Sequence, residues 1–377
     1  MNAVAVGPGM RTRPDRPDAK LRCEGLRKAY GNVVALDTTD LDMPAGEFLT
    51  LLGPSGSGKT TLLMLIAGLL PADQGCIWID DKLATNLPSH ARDIGMVFQS
   101  YALFPHMTVF DNIAFPLEMR RWSSEKIKAA VMQSLELVRL PHVADRYPRE
   151  LSGGQQQRIA LARCFVYRPS IILMDEPLGA LDKKLRDQMQ FEIKQLQAEL
   201  NATILYVTHD QDEAMAMSDR ICLMNNGGIE QIGSPKDLYF RPASRFAADF
   251  LGESNLLPGK VLKGGAAPQV EMFGLRFCAQ AASESVNEGE TITVMLRPES
   301  IDVRPAMEDG GLPARVEMVT MLGGVVRTVS RLSDGTPITS RSLTRADAVV
   351  AQPGEMVSIF WNAEAPVVIS RDTTRGA

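Results

Sequence analysis

No apolar run in this sequence reaches the roughly 18 residues that a membrane-spanning helix needs. The longest candidate is broken by Gly68 and Pro71, so the chain is not expected to cross a bilayer by itself. Cysteine is scarce. Cys23, Cys76, Cys164, Cys222 and Cys278 are scattered, odd in number and never paired as C-x-x-C, which argues against a disulfide framework or a zinc site and for reduced thiols in a cytosolic protein. Positive charge is not in excess either: 40 Lys and Arg stand against 45 Asp and Glu, for a net charge of -5. Nothing here suggests a general polyanion binder, and no nucleic-acid partner is expected. The N-terminus lacks a secretory apolar core, and residues 1–18, rich in Pro, Gly, Arg and Asp, read as a disordered tail. What is present is ordinary for soluble globular protein: 377 residues, 45% hydrophobic and 23% charged, enough for two or three domains.

The organising stretch is Gly53-Pro54-Ser55-Gly56-Ser57-Gly58-Lys59-Thr60, which fits the phosphate-cradling loop at every fixed position. An apolar strand, Phe48 to Leu52, leads in, and an apolar run, Thr61 to Leu70, leaves as a buried helix. Small residues at 55–58 let backbone N–H groups turn inward around an anion, and the helix start adds partial positive charge. Lys59 is placed for the β and γ phosphates, the Thr60 hydroxyl for a Mg2+ position and Thr61 for a phosphate oxygen.

Upstream, residues 21–52 alternate short apolar runs with turns and read as a small antiparallel sheet. Tyr30 ends the first of these runs; its ring either stacks on a base or serves a core or turn. Downstream, two strand-like runs, 75–80 and 94–98, precede Gln99. A glutamine at the carboxyl end of a sheet strand is suited to touch a metal or an attacking water. Residues 100–116 crowd Tyr101, Leu103, Phe104, Pro105, Phe110 and Phe115 into one segment, read either as a docking surface or as packing in a helical lobe. Residues 123–140 carry helical spacing through Ile127, Val131, Leu135 and Val138.

A second motif, Leu151-Ser152-Gly153-Gly154-Gln155, heads a helix and offers backbone donors for another anion. With Gln99, the strand Ile171 to Met174 ending in Asp175-Glu176, the loop Ala180-Leu181-Asp182, and His209 closing a strand from Thr203 to Thr208, these residues resemble the nucleotide-binding subunit of ATP-binding cassette (ABC) transporters. The resemblance covers residues 21–250. It implies an α/β P-loop NTPase fold with an antiparallel β subdomain and a helical subdomain. It also implies ATP and Mg2+ as ligands, and a head-to-tail dimer in which each ATP meets one P-loop and the partner copy's signature. Length agrees: a helix from Gly153 to about Tyr167 spans roughly 20 Å, too far for both its ends to touch one nucleotide.

Within that frame Lys59 and Mg2+ neutralise phosphate charge, and Thr60, Gln99 and Asp175 surround the metal. Glu176 is the catalytic base, by resemblance and because an adjacent carboxylate pair leaves one member free. His209 orients water and γ-phosphate, Ser152, Gly153, Gly154 and Gln155 form the signature, and Asp182 lies at the dimer seam. Position 179 is Gly where Ser is frequent in the family.

Beyond Gly252 short β runs separated by Gly, Pro and Asp turns suggest a small all-β barrel. It is similar to the transport-associated OB-like (TOBE) domain, with Leu296-Arg297-Pro298-Glu299 as the recurring piece, and is expected to regulate or to make dimer contacts. The expected organisation is therefore 1–18 tail, 19–252 nucleotide-binding domain and 253–377 barrel. The resemblance implies a peripheral subunit on the cytoplasmic face of the inner membrane. It would energise import through two transmembrane permease subunits and, indirectly, a solute-binding protein, with the 101–115 segment as docking surface. Residues 179–186 and 250–255 look most like polyamine (spermidine or putrescine) importers; iron, sugar, glycerol-phosphate or sulfate import are the alternatives. A soluble ABC ATPase of repair or translation fits less well, since one P-loop and a short Gln99–Ser152 interval leave no room for a coiled coil. A third alternative is a mainly regulatory protein acting through its barrel. No Asn-Lys-x-Asp guanine motif occurs.

Overall fold

The computed structural model describes residues 19–179, 181–265, 267–281, 286–306, 311–345 and 351–369; the expected tail at 1–18 and Ala180 lie outside them. The described chain divides into two compact units. Residues up to Leu51, Ser55–Thr208 and Asn226–Gly228 form the first, and Leu52–Pro54, His209–Asn225 and the residues from Ile229 onward the second.

In chain order the first unit contains β1 (Ala19–Tyr30), β2 (Val33–Pro44), β3 (Phe48–Leu52), α1 (Lys59–Ala67), β4 (Gln74–Ile79), β5 (Lys82–Leu83), β6 (Ile94–Val97), α2 (Val109–Met119), α3 (Ser124–Leu137), α4 (Gly153–Phe165), β7 (Ile171–Asp175), α5 (Lys183–Leu200) and β8 (Ile204–Thr208). An antiparallel sheet in the order β2-β1-β4-β5 takes the strands whose burial alternates along β1. β3 does not join it. Every residue of β3 is buried, the mark of a strand covered on both faces, and it lies beside β8 in the run β3-β8-β7-β6. The pairs Ile94↔Ile171 and Ile172↔Ile204 set the parallel register of β6, β7 and β8. The carboxylates after β7 and the glutamine after β6 therefore leave the sheet at the same, carboxyl, end.

The helical lobe begins with a capping box: Asp111 N donates to Thr108 Oγ1 at 3.1 Å, and Thr108 N to Asp111 Oδ2 at 3.3 Å. Asn112, fully buried, ties down the preceding aromatic segment by accepting from Phe104 N at 2.8 Å and donating to the carbonyls of Phe104, Met107 and Thr108. Phe104 and Phe115 pack at 4.9 Å between ring centroids, so part of the aromatic crowding is internal packing.

The second unit opens with α6 (Gln211–Met217), β9 (Arg220–Asn225), β10 (Gly228–Gly233), α7 (Pro235–Phe240) and α8 (Arg245–Phe250). Ala214, Ile221, Leu223, Leu238, Ala247 and Leu251 close a small core there. Next come β11 (Asn255–Lys263), β12 (Gln269–Met272), β13 (Leu275–Cys278), β14 (Gln280–Ala281), β15 (Thr291–Leu296), β16 (Ile301–Pro305), β17 (Leu312–Met321), β18 (Val325–Leu332), β19 (Pro337–Leu343), β20 (Met356–Trp361) and β21 (Val367–Ile369). They form sheets in the orders β13-β12-β11-β15-β21-β14 and β16-β20-β17-β18-β19. One core, which includes Leu257, Val270 and Val294 from the first sheet and Val316, Ile338 and Ile359 from the second, makes them a single OB-like β domain.

Arg297 fastens α7 and α8 to this β domain. It is 2% exposed and donates to the carbonyls of Tyr239 at 2.7 Å, Ala248 at 3.0 Å and Gly252 at 3.2 Å, and to Ser254 Oγ at 2.7 Å. Its guanidinium lies 4.0 Å from the centroid of the Tyr239 ring. Nearby, Glu253 accepts from Arg327 Nε at 3.0 Å and pairs with Arg341 at 3.0 Å.

Arg297→Ala strands several buried carbonyls at once and is expected to cost about 3 kcal/mol in urea unfolding of the purified chain. Arg297→Lys will recover little of it, because one ammonium cannot reproduce a planar fork. The hydrogen bond from Arg327, opposed by burial, holds the Glu253 carboxyl below its ordinary 4.5. The stability it contributes is present above that value and lost as pH falls through the lowered one. Acid titration followed by near-ultraviolet circular dichroism should show this loss, and Glu253→Gln should remove it.

Candidate active site

The P-loop helix α1 is built with unequal ends. At its amino end Gly58 is the N-cap, no side chain caps it and no acidic residue lies in the first turn, so its N–H groups and partial positive charge are left for an anion. Gly58 has φ 97°, and a Cβ there would come 2.7 Å from the Ala35 carbonyl oxygen. Only glycine fits both demands. At the carboxyl end Gly68 takes φ 73°, and the buried Arg92 donates to the carbonyls of Leu65 at 2.8 Å and Ile66 at 2.9 Å.

Two buried polar groups lie at this amino end. Ser57 is 2% exposed, and its hydroxyl has no hydrogen-bond partner among the described residues. Lys59 is 6% exposed; burial pulls its ammonium below the ordinary lysine range, against the opposing pull of Glu176 and Asp175. Ser55, Gly56 and Thr60 are exposed and Pro54 and Thr61 half-buried, while Gly53 is buried. An uncapped helix start, an orphaned hydroxyl and a desolvated cation together suit a polyphosphate.

Facing this loop, Asp175 ends β7, and Thr60 Oγ1 donates to its Oδ1 at 3.4 Å. Burial first, and the neighbouring Glu176 charge second, push the Asp175 carboxyl upward. Glu176 has φ 44°, a left-handed backbone that costs a non-glycine residue about 1–2 kcal/mol. Its N–H donates to the Val207 carbonyl at 3.0 Å, which secures the turn against β8. Gln99 is exposed beyond the end of β6. A Cβ on Gly179 would meet Gln99 Nε2 at 3.6 Å and the Glu176 carbonyl oxygen at 3.5 Å, so Gln99 stands beside the carboxylate turn. Both distances are ordinary van der Waals contact, and a serine at 179 would fit.

The signature residues and Asp182 have local structural duties. Ser152 caps α4: Gln155 N donates to Ser152 Oγ at 3.4 Å, and Ser152 N donates to Gln155 Oε1 at 3.0 Å. Ser152 and Gly153 are exposed, whereas Gly154 is buried, and a Cβ there would lie 3.1 Å from the Leu185 side chain. Asp182 caps α5, accepting from Leu185 N at 3.0 Å. Tyr30 is 50% exposed with Lys28 Nζ 5.6 Å from its ring centroid, so it is no core residue. His209 follows Thr208, the last residue of β8. The chain thus brings Ser57, Lys59, Thr60, Asp175, Glu176 and Gln99 into one neighbourhood of the first unit. Arg92 escaped the sequence reading, and a lone arginine in a polar loop gives no signal of capping a helix whose last carbonyls lie 26 and 27 residues earlier.

Comparison with known proteins agrees with this geometry. The ABC transporter family matches residues 36–179 and the TOBE domain family residues 294–369. A spermidine/putrescine import ATP-binding protein of Marinobacter nauticus is 43% identical over 345 residues, covering 90% of this chain and 92% of its own length. Its counterpart in Chromobacterium violaceum is 43% identical over 354 residues, with 92% and 98% covered. Among solved structures, a dimeric ATP-binding cassette in a post-hydrolysis state with ADP and Pi has a TM-score of 0.52 at 33% identity, covering 57% of this chain and 98% of that one. A cassette of the cbiONQ transporter from Clostridium perfringens has a TM-score of 0.54 at 28% identity, covering 59% and 90%. The P-loop geometry and these likenesses lead to one conclusion: the chain belongs to the ABC transporter family as an ATP-hydrolysing subunit with a C-terminal TOBE domain.

Proposed function

We propose that this ATPase energises polyamine import, of spermidine or putrescine, across the cytoplasmic membrane through two separate permease subunits fed by a solute-binding protein. The observation that carries the catalytic part is the pairing of a buried Lys59 and an orphaned Ser57 with Asp175 and Glu176. The name shared by relatives that match nearly the whole chain carries the solute. The chain would sit on the cytoplasmic face of the inner membrane, and the half-buried aromatic segment 101–115 would be its docking surface. Residues 19–252 would act as the nucleotide-binding domain and residues 253–377 as a regulatory barrel.

In this reading α1 and the loop 53–58 bind the phosphates by backbone N–H groups, Lys59 neutralises the β and γ oxygens, and Thr61 holds a further oxygen. The Tyr30 ring stacks on adenine. Thr60, Asp175 and Gln99 would hold Mg2+, which supplies charge neutralisation on the phosphates. Glu176 accepts the proton of the attacking water, and His209 orients that water against the γ-phosphate. Two copies face head to tail, each lending Ser152, Gly153, Gly154 and Gln155 to the other's ATP, with Asp182 at the seam.

Glu176→Gln is expected to lower hydrolysis by about 10^2 to 10^4 while ATP still binds, and to accumulate a dimer in ATP and Mg2+ on light scattering. Near-normal turnover would remove Glu176 from the role. Deleting the gene and following labelled spermidine, putrescine, iron, maltose, glycerol phosphate and sulfate tests the solute. Loss confined to the polyamines is expected, and loss of another solute instead would reassign the importer.

A further inference from the structure

Immediately behind Gln99 the backbone bends in a way that L-residues avoid. Tyr101 has φ 59° and Ala102 φ 47°, two consecutive left-handed residues, neither of them glycine or asparagine and one of them bulky. The turn is tight: Tyr101 N donates to the Phe98 carbonyl at 2.9 Å and Ala102 N to the Ser100 carbonyl at 2.7 Å. Strain of this kind persists only where the surroundings impose it.

Here one side chain grips the turn. Arg163, near the carboxyl end of α4, donates from Nη1 to the Ala102 carbonyl at 2.8 Å and from Nη2 to the Tyr101 carbonyl at 2.9 Å. Its guanidinium also lies 5.6 Å from the centroid of the Phe104 ring. Among the described residues no carboxylate pairs with it; both of its terminal nitrogens donate to the two carbonyls of the strained turn. Burial pushes its pKa down, as expected of a cation held by dipoles alone. The helix that carries Arg163 is the one Ser152 caps at its other end.

We propose that Arg163 is a positioning residue for Gln99. By fixing the carbonyls of Tyr101 and Ala102 it holds the left-handed turn that sets where the Gln99 amide stands, and it ties that position to the signature helix. The inference rests on the proposed role of Gln99 at the metal and attacking water.

The test uses the full-length chain in Arg163→Gln, Arg163→Lys, Ala102→Gly, the double variant Arg163→Gln/Ala102→Gly, and Gln99→Ala. Steady-state hydrolysis is measured against ATP and against Mg2+. Arg163→Gln should lower kcat about tenfold, equivalent to about 1.4 kcal/mol, with KM for ATP within about twofold. It should also raise the Mg2+ requirement in the same direction as Gln99→Ala. Ala102→Gly relieves the backbone strain and should recover most of the lost rate in the double variant while barely changing the parent. Arg163→Lys, which keeps the charge and one donor, should fall between and serves if the glutamine variant does not fold. Equal losses with and without Ala102→Gly would mean Arg163 merely packs the lobe, and full activity in Arg163→Gln or Arg163→Lys beside an impaired Gln99→Ala would overturn the proposal. An unimpaired Gln99→Ala would instead overturn the role of Gln99 itself, and the positioning role with it.

Discussion

The site depends on a helix start that the protein itself declines to satisfy. A glycine N-cap, which offers no side-chain acceptor, costs a helix only about a few tenths of a kcal/mol, and α1 adds to this a lysine held out of water and a serine hydroxyl with no protein partner among the described residues. The opposite end is correspondingly over-provided, with Gly68 in the left-handed region and the Arg92 fork on two terminal carbonyls. The helix is therefore anchored where no ligand comes and left open where the phosphates arrive. β3, buried along its whole length, fixes the direction from which the loop reaches that open end.

A second regularity runs through both units. Arg92, Arg163 and Arg297 are each committed mainly to backbone carbonyls, and burial lowers the pKa of each. A planar fork with five donors can satisfy several carbonyls in fixed directions, which lysine cannot do. At these points the chain ends a helix, turns against its handedness or passes from helices into a β domain. Carbonyls are left over at each of them, and an arginine collects them.

This division explains what was legible in the sequence. Lys59, Asp175, Glu176, Gln99 and Ser152 stand in short motifs whose spacing is dictated by a phosphate or a helix turn, so linear order sufficed to place them. β7, β8 and α3 were readable from apolar runs and helical period. β3 was readable as a strand, but its partner was not fully so, because the antiparallel hairpin before it resembles it locally and only burial on both faces separates them. In the β domain, β15 and β21 stand as plain apolar runs, whereas β11 is masked by Pro258 and Gly259. The arginine locks left no trace, since their partners are carbonyls, which every residue carries, and are distant in sequence. Tyr30 needed the structure to decide between core and surface.

The Arg297 fork bears on how this architecture can be recombined. A graft that exchanged the β domain alone, cut at the apparent style change after Gly252, would sever an arginine from the Tyr239, Ala248 and Gly252 carbonyls it serves. The inheritable cassette at this end of the chain is therefore larger than the barrel and takes α7 and α8 with it. Homologous exchange between such transport subunits should find its natural crossover ahead of those helices.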